Sequence, residues 1–402
     1  MGYDLIRDVL ARTAHVESPE VFVKWACHSA IAGIAKKSIF VNKGGVYPLF
    51  PNLYILLVGK SGVKKGFPVS LAGHLIESVG NTRTIIGRNS VQGIINTLSR
   101  GHTTENGAVH KGATVSIISE EFRTLLVDDP MAHPILTTLY DTHAHLKGWA
   151  NSLKETKEKL QDVCLNLLVA SNMDMLQSAL PAVAYNGGFI GRTQVIIGTE
   201  RRCINPMIDD AEPLDFSDAI EHLKVVSKLE GKFEISQDAR LYFNDWYTNK
   251  FHPERVDDKT GTVDRMQDHA LKLAMNLALS RSTEKKIQED HIREAVQTVL
   301  SIFPNTRTIS SVSSGTMPAE VRTKIVLWEL IQAPGYTVSR SKMLEKNWGM
   351  FSAQELDEII GTFLQSRALE VRQGIGVDGE KDTIYILNPR VAARFKQFVE
   401  EG

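Results

Sequence analysis

Cysteine is scarce. The 402-residue chain has three, Cys27, Cys164 and Cys203, and they lie far apart. That excludes a disulfide framework and a Cys-rich zinc site, and it fits a reducing, cytoplasmic setting. Long apolar runs are missing too. None approaches the roughly 20 residues that span a bilayer. The longest, such as residues 53–58, are strand-sized, no signal peptide opens the chain, and no membrane partner is expected. Nor does charge of one sign dominate: 46 Lys and Arg face 47 Asp and Glu, for a net of −1. A protein that coats nucleic acid with its whole surface is excluded, whereas a local basic loop or pore is not. Repeats and low-complexity tracts are absent. What remains is ordinary globular composition, 43% hydrophobic and 23% charged, in a length that suits about two or three domains.

Residues 1–50 read as a helical segment. Ser18-Pro19-Glu20 is a helix start, and the helix it opens carries Val21, Phe22, Trp25, Ile31 and Ile34. From residue 51 to 204 short apolar runs recur with helical patterns between them: 53–58, 84–86, 115–118, 165–170 and 194–197. Strands buried on both faces look like this, so the expectation is an α/β fold with a five-stranded parallel sheet. Strands vanish over 205–304, where Leu271, Leu273, Ala274, Leu277 and Ala278 lie on a helical stripe. A Ser/Gly linker is expected at 305–316. Residues 317–402 then read as three helices and a hairpin, a winged-helix-like pattern.

The first apolar strand runs into Gly59-Lys60-Ser61-Gly62-Val63-Lys64-Lys65-Gly66, with a helix beyond. Strand, Gly-rich loop and helix is the context of a phosphate-binding loop. Backbone N–H groups of Gly59, Ser61, Gly62, Val63, Lys64 and Gly66 would close around phosphate oxygens, and the helix adds its positive end. Lys65 holds the position that reaches the β- and γ-phosphates of ATP. The standard pattern has Gly where Lys64 stands, and Ser or Thr, whose hydroxyl binds Mg²⁺, where Gly66 stands. A Gly/Lys turn capping an exposed helix is the plain alternative.

The 115–118 strand ends in Ser119-Glu120-Glu121-Phe122. Two acids at a strand end suit a hydrolytic site: Glu120 holds Mg²⁺ through water, and Glu121 is the base that polarises the attacking water. Taken alone, such a pair is more often solvated surface. The 165–170 strand ends in Ser171-Asn172; Asn172 suits the orientation of that water, although Asn also ends strands for turn reasons. Gly187-Gly188-Phe189-Ile190-Gly191-Arg192 precedes the last strand. Arg192 suits a finger that stabilises charge on a neighbour's ATP, against the plain reading of a surface arginine.

The order of phosphate loop, acidic pair, Asn, Gly-Phe-x-x-Arg and helical region resembles AAA+ P-loop ATPases. More closely it is similar to helicase-like ATPases of bacteriophages and mobile elements, relatives of the minichromosome-maintenance and superfamily-3 viral helicases. Ser18-Pro19-Glu20-x-Phe22, Pro51-Asn52-Leu53-Tyr54, Ile118-Ser119-Glu120-Glu121-Phe122 and Phe189-Ile190-Gly191-Arg192 carry the resemblance, over about residues 15–300. The arginine segment more often reads Ser-Arg-Phe, and the acidic pair Asp-Glu. The resemblance implies a homo-oligomeric ring, a hexamer, with ATP and Mg²⁺ between subunits. It implies residues 205–304 as a helical lid carrying an arginine near the phosphates; Arg265 is the best match and Lys272 the second.

Between the acidic pair and Asn172 lies a segment with Lys147, Lys154, Lys157 and Lys159 against Glu155 and Glu158. In the resembled helicases a hairpin here tracks a single DNA strand in the ring channel. Each lysine would neutralise a phosphate. The alternative is an exposed helix with ion pairs such as Glu155 with Lys159. Asn106-Gly107, followed by Lys111, marks a second candidate hairpin. The tail has 11 Lys and Arg against 12 Asp and Glu, and its third helix, from about Ser352, carries Glu355, Asp357 and Glu358. An acidic helix repels phosphate, so this part is expected to contact a replication protein partner rather than read DNA. His143 and His145 are read as structural, not metal ligands, and Trp328, Leu330 and Ile331 as core. The function expected is an ATP-driven DNA-translocating motor, a replicative helicase. The alternative is an ATP-binding loader, initiator or scaffold that hydrolyses little.

Overall fold

Residues 54–58 and 167–170 are apolar at every position, not at alternate ones, and the fold explains why. The computed structural model describes residues 2–45, 47–87, 90–99, 102–103, 109–110, 114–122, 132–141, 149–152, 157–160, 163–179, 184, 188–204, 213–251, 258, 260–313, 319–347, 352–375 and 381–392. Two compact units divide it, Met1–Ser310 and Ser311–Gly402.

Helices α1 (Leu5–Arg12) and α2 (Glu20–Ala35) open the first unit. Pro19, not Ser18, is the cap residue of α2, which carries no side-chain cap. Strands β1 (Ile39–Lys43) and β2 (Tyr47–Leu49) form a small antiparallel pair that the sequence pattern did not announce. Then come β3 (Tyr54–Val58), α3 (Gly66–Val79), β4 (Arg83–Ile86), α4 (Val91–Ser99), β5 (His102–Thr103), β6 (Val109–His110), β7 (Thr114–Ser119) and α5 (Ala132–Tyr140). Strands β8 (Trp149–Ser152), β9 (Lys157–Leu160) and β10 (Cys164–Ser171), helix α6 (Met173–Ala179) and strand β11 (Thr193–Ile197) follow.

Five strands make one all-parallel sheet in the order β11-β3-β10-β7-β4. Its two faces feed separate cores. Ile55, Leu57, Leu168, Ala170 and Ile196 pack with α2 and α3. Tyr54, Leu56, Val58, Leu167, Val169 and Val195 pack with Ile94, Leu98, Leu136 and Leu139 on the opposite side. Each face is covered, so both sets of alternating positions must be apolar. Asn166 is one of the buried polar residues in the sheet, with Ser116, Thr193 and Gln194: enclosed in β10, it donates to Ser29 O at 3.0 Å and accepts from Leu53 N at 3.0 Å. It ties α2 to two strands, and truncating it would strand buried partners at a cost of about 1–3 kcal/mol.

After β11 the chain forms α7 (Ser217–Val226), β12 (Gly231–Lys232), β13 (Glu234–Ile235), α8 (Gln237–Asp245), α9 (Met266–Arg281), β14 (Lys286–Ile287) and α10 (Glu289–Ser313). The region is therefore not purely helical: β12 pairs with β1, and β13 with β14. Two-residue strands are too short to leave a period in the sequence. The expected linker at 305–316 is helix as far as Ser313. Its start packs inward, with Thr306 and Ile309 buried, so it continues the fold rather than leaving it.

The second unit comprises α11 (Ala319–Gln332), β15 (Thr337–Ser339), α12 (Arg340–Lys346), α13 (Ala353–Gln365), β16 (Leu369–Ile375) and β17 (Lys381–Leu387). Its antiparallel sheet runs β15-β17-β16. Ser352 and Glu355 form a reciprocal capping box at the start of α13. Leu330 and Ile331 are core as expected, but Trp328 is 46% exposed, because it projects from a different side of α11. Among the described residues no helix is long and apolar enough to cross a membrane.

Candidate functional site

The loop after β3 leaves the carboxyl end of a central strand, where open α/β sheets form their ligand crevice. Gly59 N donates to Ser171 O at 3.2 Å, which fixes the loop's root against β10. Gly62 has φ +83° and Lys64 φ +57°. Lys64 thus keeps the left-handed turn that the usual glycine provides, at a cost of about 1–2 kcal/mol. Its side chain points out toward Glu17 Oε2, at 3.9 Å. Lys65 instead folds across the loop, donating to Gly59 O at 2.7 Å and Lys60 O at 2.8 Å. Burial lowers its pKa, while the charge of Glu121 opposes that shift. Helix α3 starts at once with no side-chain cap, so its first N–H groups and positive end face the crevice.

Strand β7 delivers the acidic pair to the same edge. Glu120 lies against the start of α3, its carboxylate within 3.1–3.2 Å of where a Cβ on Gly66 would stand. Ser70, one turn further along α3, approaches Glu120 Oε1 at 3.4 Å. Glu121 follows, turned by a Ser119 hydroxyl that donates to Glu121 O at 3.1 Å. Asn172 closes the crevice from β10. Its Oδ1 accepts from Met175 N at 2.8 Å, so the turn role is real, and the amide Nδ2 remains as its side-chain donor. Lys65, Glu120, Glu121 and Asn172, picked from three separate stretches, therefore meet at one edge. A magnesium ion fits this set: it is commonly held by one or two carboxylates plus substrate phosphates rather than by an all-protein cage. The described residues contain no cluster of three or more His, Cys, Asp or Glu, and Glu120 is the carboxylate beside the helix start.

Arg192 lies at the other edge. Thr193 pairs with Tyr54, so Arg192 is level with Leu53, and six strand steps of about 3.3 Å put it roughly 20 Å from Gly59. It is held by Asp141, with Nε 2.6 Å from Oδ2, and by Gly188 O, 2.9 Å from Nη1. Gly191 is required here: a Cβ would overlap the Thr260 carbonyl oxygen and reach 3.0 Å from Gly261 C. Phe189, three residues before the arginine, stacks on Phe122 of the acidic motif, ring centroids 6.1 Å apart.

Arg265 corrects an expectation. It is placed with Arg192, not beside the phosphate loop of its own chain. Both line a cavity of about 270 Å³ with Tyr140, Asp141, His269 and Lys272. The reason is packing: α9 inserts along the amino ends of the strands, where Lys272 Nζ donates to Asn52 Oδ1 at 2.6 Å and lies 4.3 Å from the Tyr140 ring centre. Burial lowers the Lys272 pKa to about 8 and that of His269 to about 4. Lys272 is thereby a buried structural cation, away from the phosphate loop.

For the basic segment, β8 and β9 pair as an antiparallel hairpin, Asn151 opposite Glu158 and Ser152 opposite Lys157. This rules out the helical alternative with its Glu155–Lys159 pair. His102 opposite His110 makes β5 and β6 a second hairpin. Lys111, Lys147 and Lys154, like His143 and His145, lie outside the described residues. Sequence reasoning missed Arg201 and Glu17. Arg201 Nη1 is 3.2 Å from Glu17 Oε2, and its Nη2 lies 3.9 Å from a Cβ position on Gly62, beside the loop. Neither residue belongs to a motif; only the fold brings them there. No protein-family model and no curated protein matches the chain.

Proposed function

We propose that the chain is an AAA+-type P-loop ATPase working as a DNA-translocating ring motor, similar to the helicase-like ATPases of phages and mobile elements. The observation that carries this reading is the convergence of Lys65, Glu120, Glu121 and Asn172 at one edge of the parallel sheet, with Arg192 on the opposite edge. On this reading the loop N–H groups and the start of α3 bind the phosphates of ATP. Lys65 exchanges its two carbonyl partners for phosphate oxygens. Glu121 accepts the proton of the attacking water, and Asn172 Nδ2 orients that water. Glu120 would hold a magnesium ion, which when bound would neutralise charge on the phosphates. Arg192 lies too far away to serve its own site. In a head-to-tail ring it would reach the neighbour's ATP, with Arg265 beside it. The paired strands β8 and β9 would bring the lysines of the basic segment to single-stranded DNA. The second unit, three helices and a three-stranded sheet, is read as a winged helix that contacts a protein partner.

The test is ATP turnover with and without single-stranded DNA, together with the mass of the assembly. Strong stimulation in an oligomer of about six is expected; a monomer unaffected by DNA would overturn the motor. One observation favours a second reading, a loader or scaffold with slow hydrolysis: Gly66 offers no hydroxyl for the metal. Strand displacement coupled to ATP separates the two.

A further inference from the structure

Two departures from the usual phosphate site sit next to each other in space. Position 66 has lost its hydroxyl, and position 120 has gained a methylene over the usual aspartate. A Cβ on Gly66 would lie 3.1 Å from Glu120 Oε2 and 3.2 Å from both Cδ and Oε1. That is tighter than ordinary van der Waals contact, and a hydroxyl one bond further on would compete for the same space. We infer that the two departures are one exchange: the Glu120 carboxylate occupies the place of the missing hydroxyl and binds the divalent cation directly, not through water. This rests on the nucleotide-site reading above.

The geometry gives each residue a reason. Glutamate is needed because aspartate would draw the carboxylate back by about 1.5 Å, the length of one C–C bond. Glycine suits the position because a Cβ there would make the carboxylate give way by a few tenths of an ångström, and a hydroxyl beyond it would claim the same space. Ser70, at 3.4 Å from Oε1, steadies it from the next turn of α3. The exchange keeps the number of carboxylates but moves one of them. The charge that the usual site holds behind a water would touch the cation and lie beside the phosphates, so the site should attract a divalent cation more strongly and repel metal-free ATP. Nucleotide binding should then depend steeply on the cation.

A double-mutant cycle tests this, with two readouts. The first is the thermal midpoint of protein free of metal and nucleotide. Gly66→Thr should lower it, and Glu120→Asp in the same chain should recover most of the loss. The second is Mn²⁺ affinity in the presence of ADP, read by electron paramagnetic resonance. Gly66→Thr and Glu120→Asp should each weaken it about 10-fold or more, the range seen when the shell of a metal site is disturbed. The double variant, which restores the usual hydroxyl and aspartate, should return close to wild type. Glu120→Gln keeps the shape without the charge; it should melt like wild type, lose Mn²⁺ and bind metal-free ADP more tightly. Additive losses, or a Gly66→Thr variant that binds Mn²⁺ more tightly at no thermal cost, would overturn the exchange while leaving the nucleotide site intact. A wild-type protein that retains no nucleotide at any Mn²⁺ concentration would instead overturn the site itself, and the exchange with it.

Discussion

Replacing Arg192 by alanine separates an action between subunits from one within a chain. The Arg192 backbone is level with Leu53, and the phosphate loop begins at Gly59, about 20 Å away along the sheet. An arginine side chain does not bridge that distance. Arg192→Ala should therefore leave ATP affinity unchanged. The Asp141 partner is 38% exposed, so after solvent screening the lost ion pair should cost about 1 kcal/mol of stability or less. Turnover should nonetheless fall about 10³-fold, the usual worth of an arginine finger. That corresponds to about 4 kcal/mol of transition-state stabilisation at 1.36 kcal/mol per decade. Lys65→Ala should be inactive for a different reason, since it removes the phosphate ligand of its own site. Mixing the two rescues what neither does alone. In randomly mixed head-to-tail rings at equal ratio, about a quarter of interfaces hold an intact Lys65 beside an intact Arg192. Steady-state ATP hydrolysis, with ring composition read by native mass spectrometry, should recover toward that fraction. No recovery in rings shown to be mixed would refute the inter-subunit finger. So would an Arg192→Ala protein with full activity.

Glu121→Gln should retain ATP and lose turnover by about 10²–10⁴-fold, because it removes the base and leaves Glu120 in place; equilibrium binding and hydrolysis measured side by side would expose a register error if Glu120→Gln gave that pattern instead. Replacing Lys154, Lys157 and Lys159 with Glu should weaken single-strand binding and reduce its log–log salt slope by about 0.7 per lost contact, roughly 2 in all; fluorescence anisotropy across a salt series measures it, and an unchanged slope removes the hairpin from the DNA path. His28 supplies a pH test. It is fully buried, with neither ring nitrogen hydrogen-bonded, and burial, helped by Lys24 and Arg281, lowers its pKa from 6.5 to about 3. Between those values the unfolded chain binds a proton that the folded chain does not, so stability falls as pH falls. From pH 6.5 to 5 this one group should cost about 2 kcal/mol; in urea unfolding at pH 7 and 5, His28→Leu should lose less stability by that amount, and equal losses would refute it.

The five strands were legible in the sequence because strands covered on both faces leave short runs of mostly apolar residues. Helix α13 was legible because Ser352 and Glu355 cap it through local bonds. Lys65, Glu120, Glu121 and Asn172 could be picked out because each follows a strand, and parallel strands deliver their ends to one edge. Local grammar carries this much because the interactions behind it act within a few residues. The pairing of β1 with β12 was not legible, since it joins residues far apart in the chain through two-residue contacts. Nor was the form of residues 149–152 and 157–160: the charges around them suited a helix as well as a hairpin, and only strand pairing decided. Arg265 and Lys272 were misplaced for the same reason. Their helix is buried nearly all round, so its sequence period did not say which edge of the sheet it would meet. The relation of Gly66 to Glu120 lies furthest from the sequence. Separated by 54 positions, each looks like an independent flaw in its own motif. Only when β7 is laid beside the start of α3 does the space left by one residue become the space filled by the other.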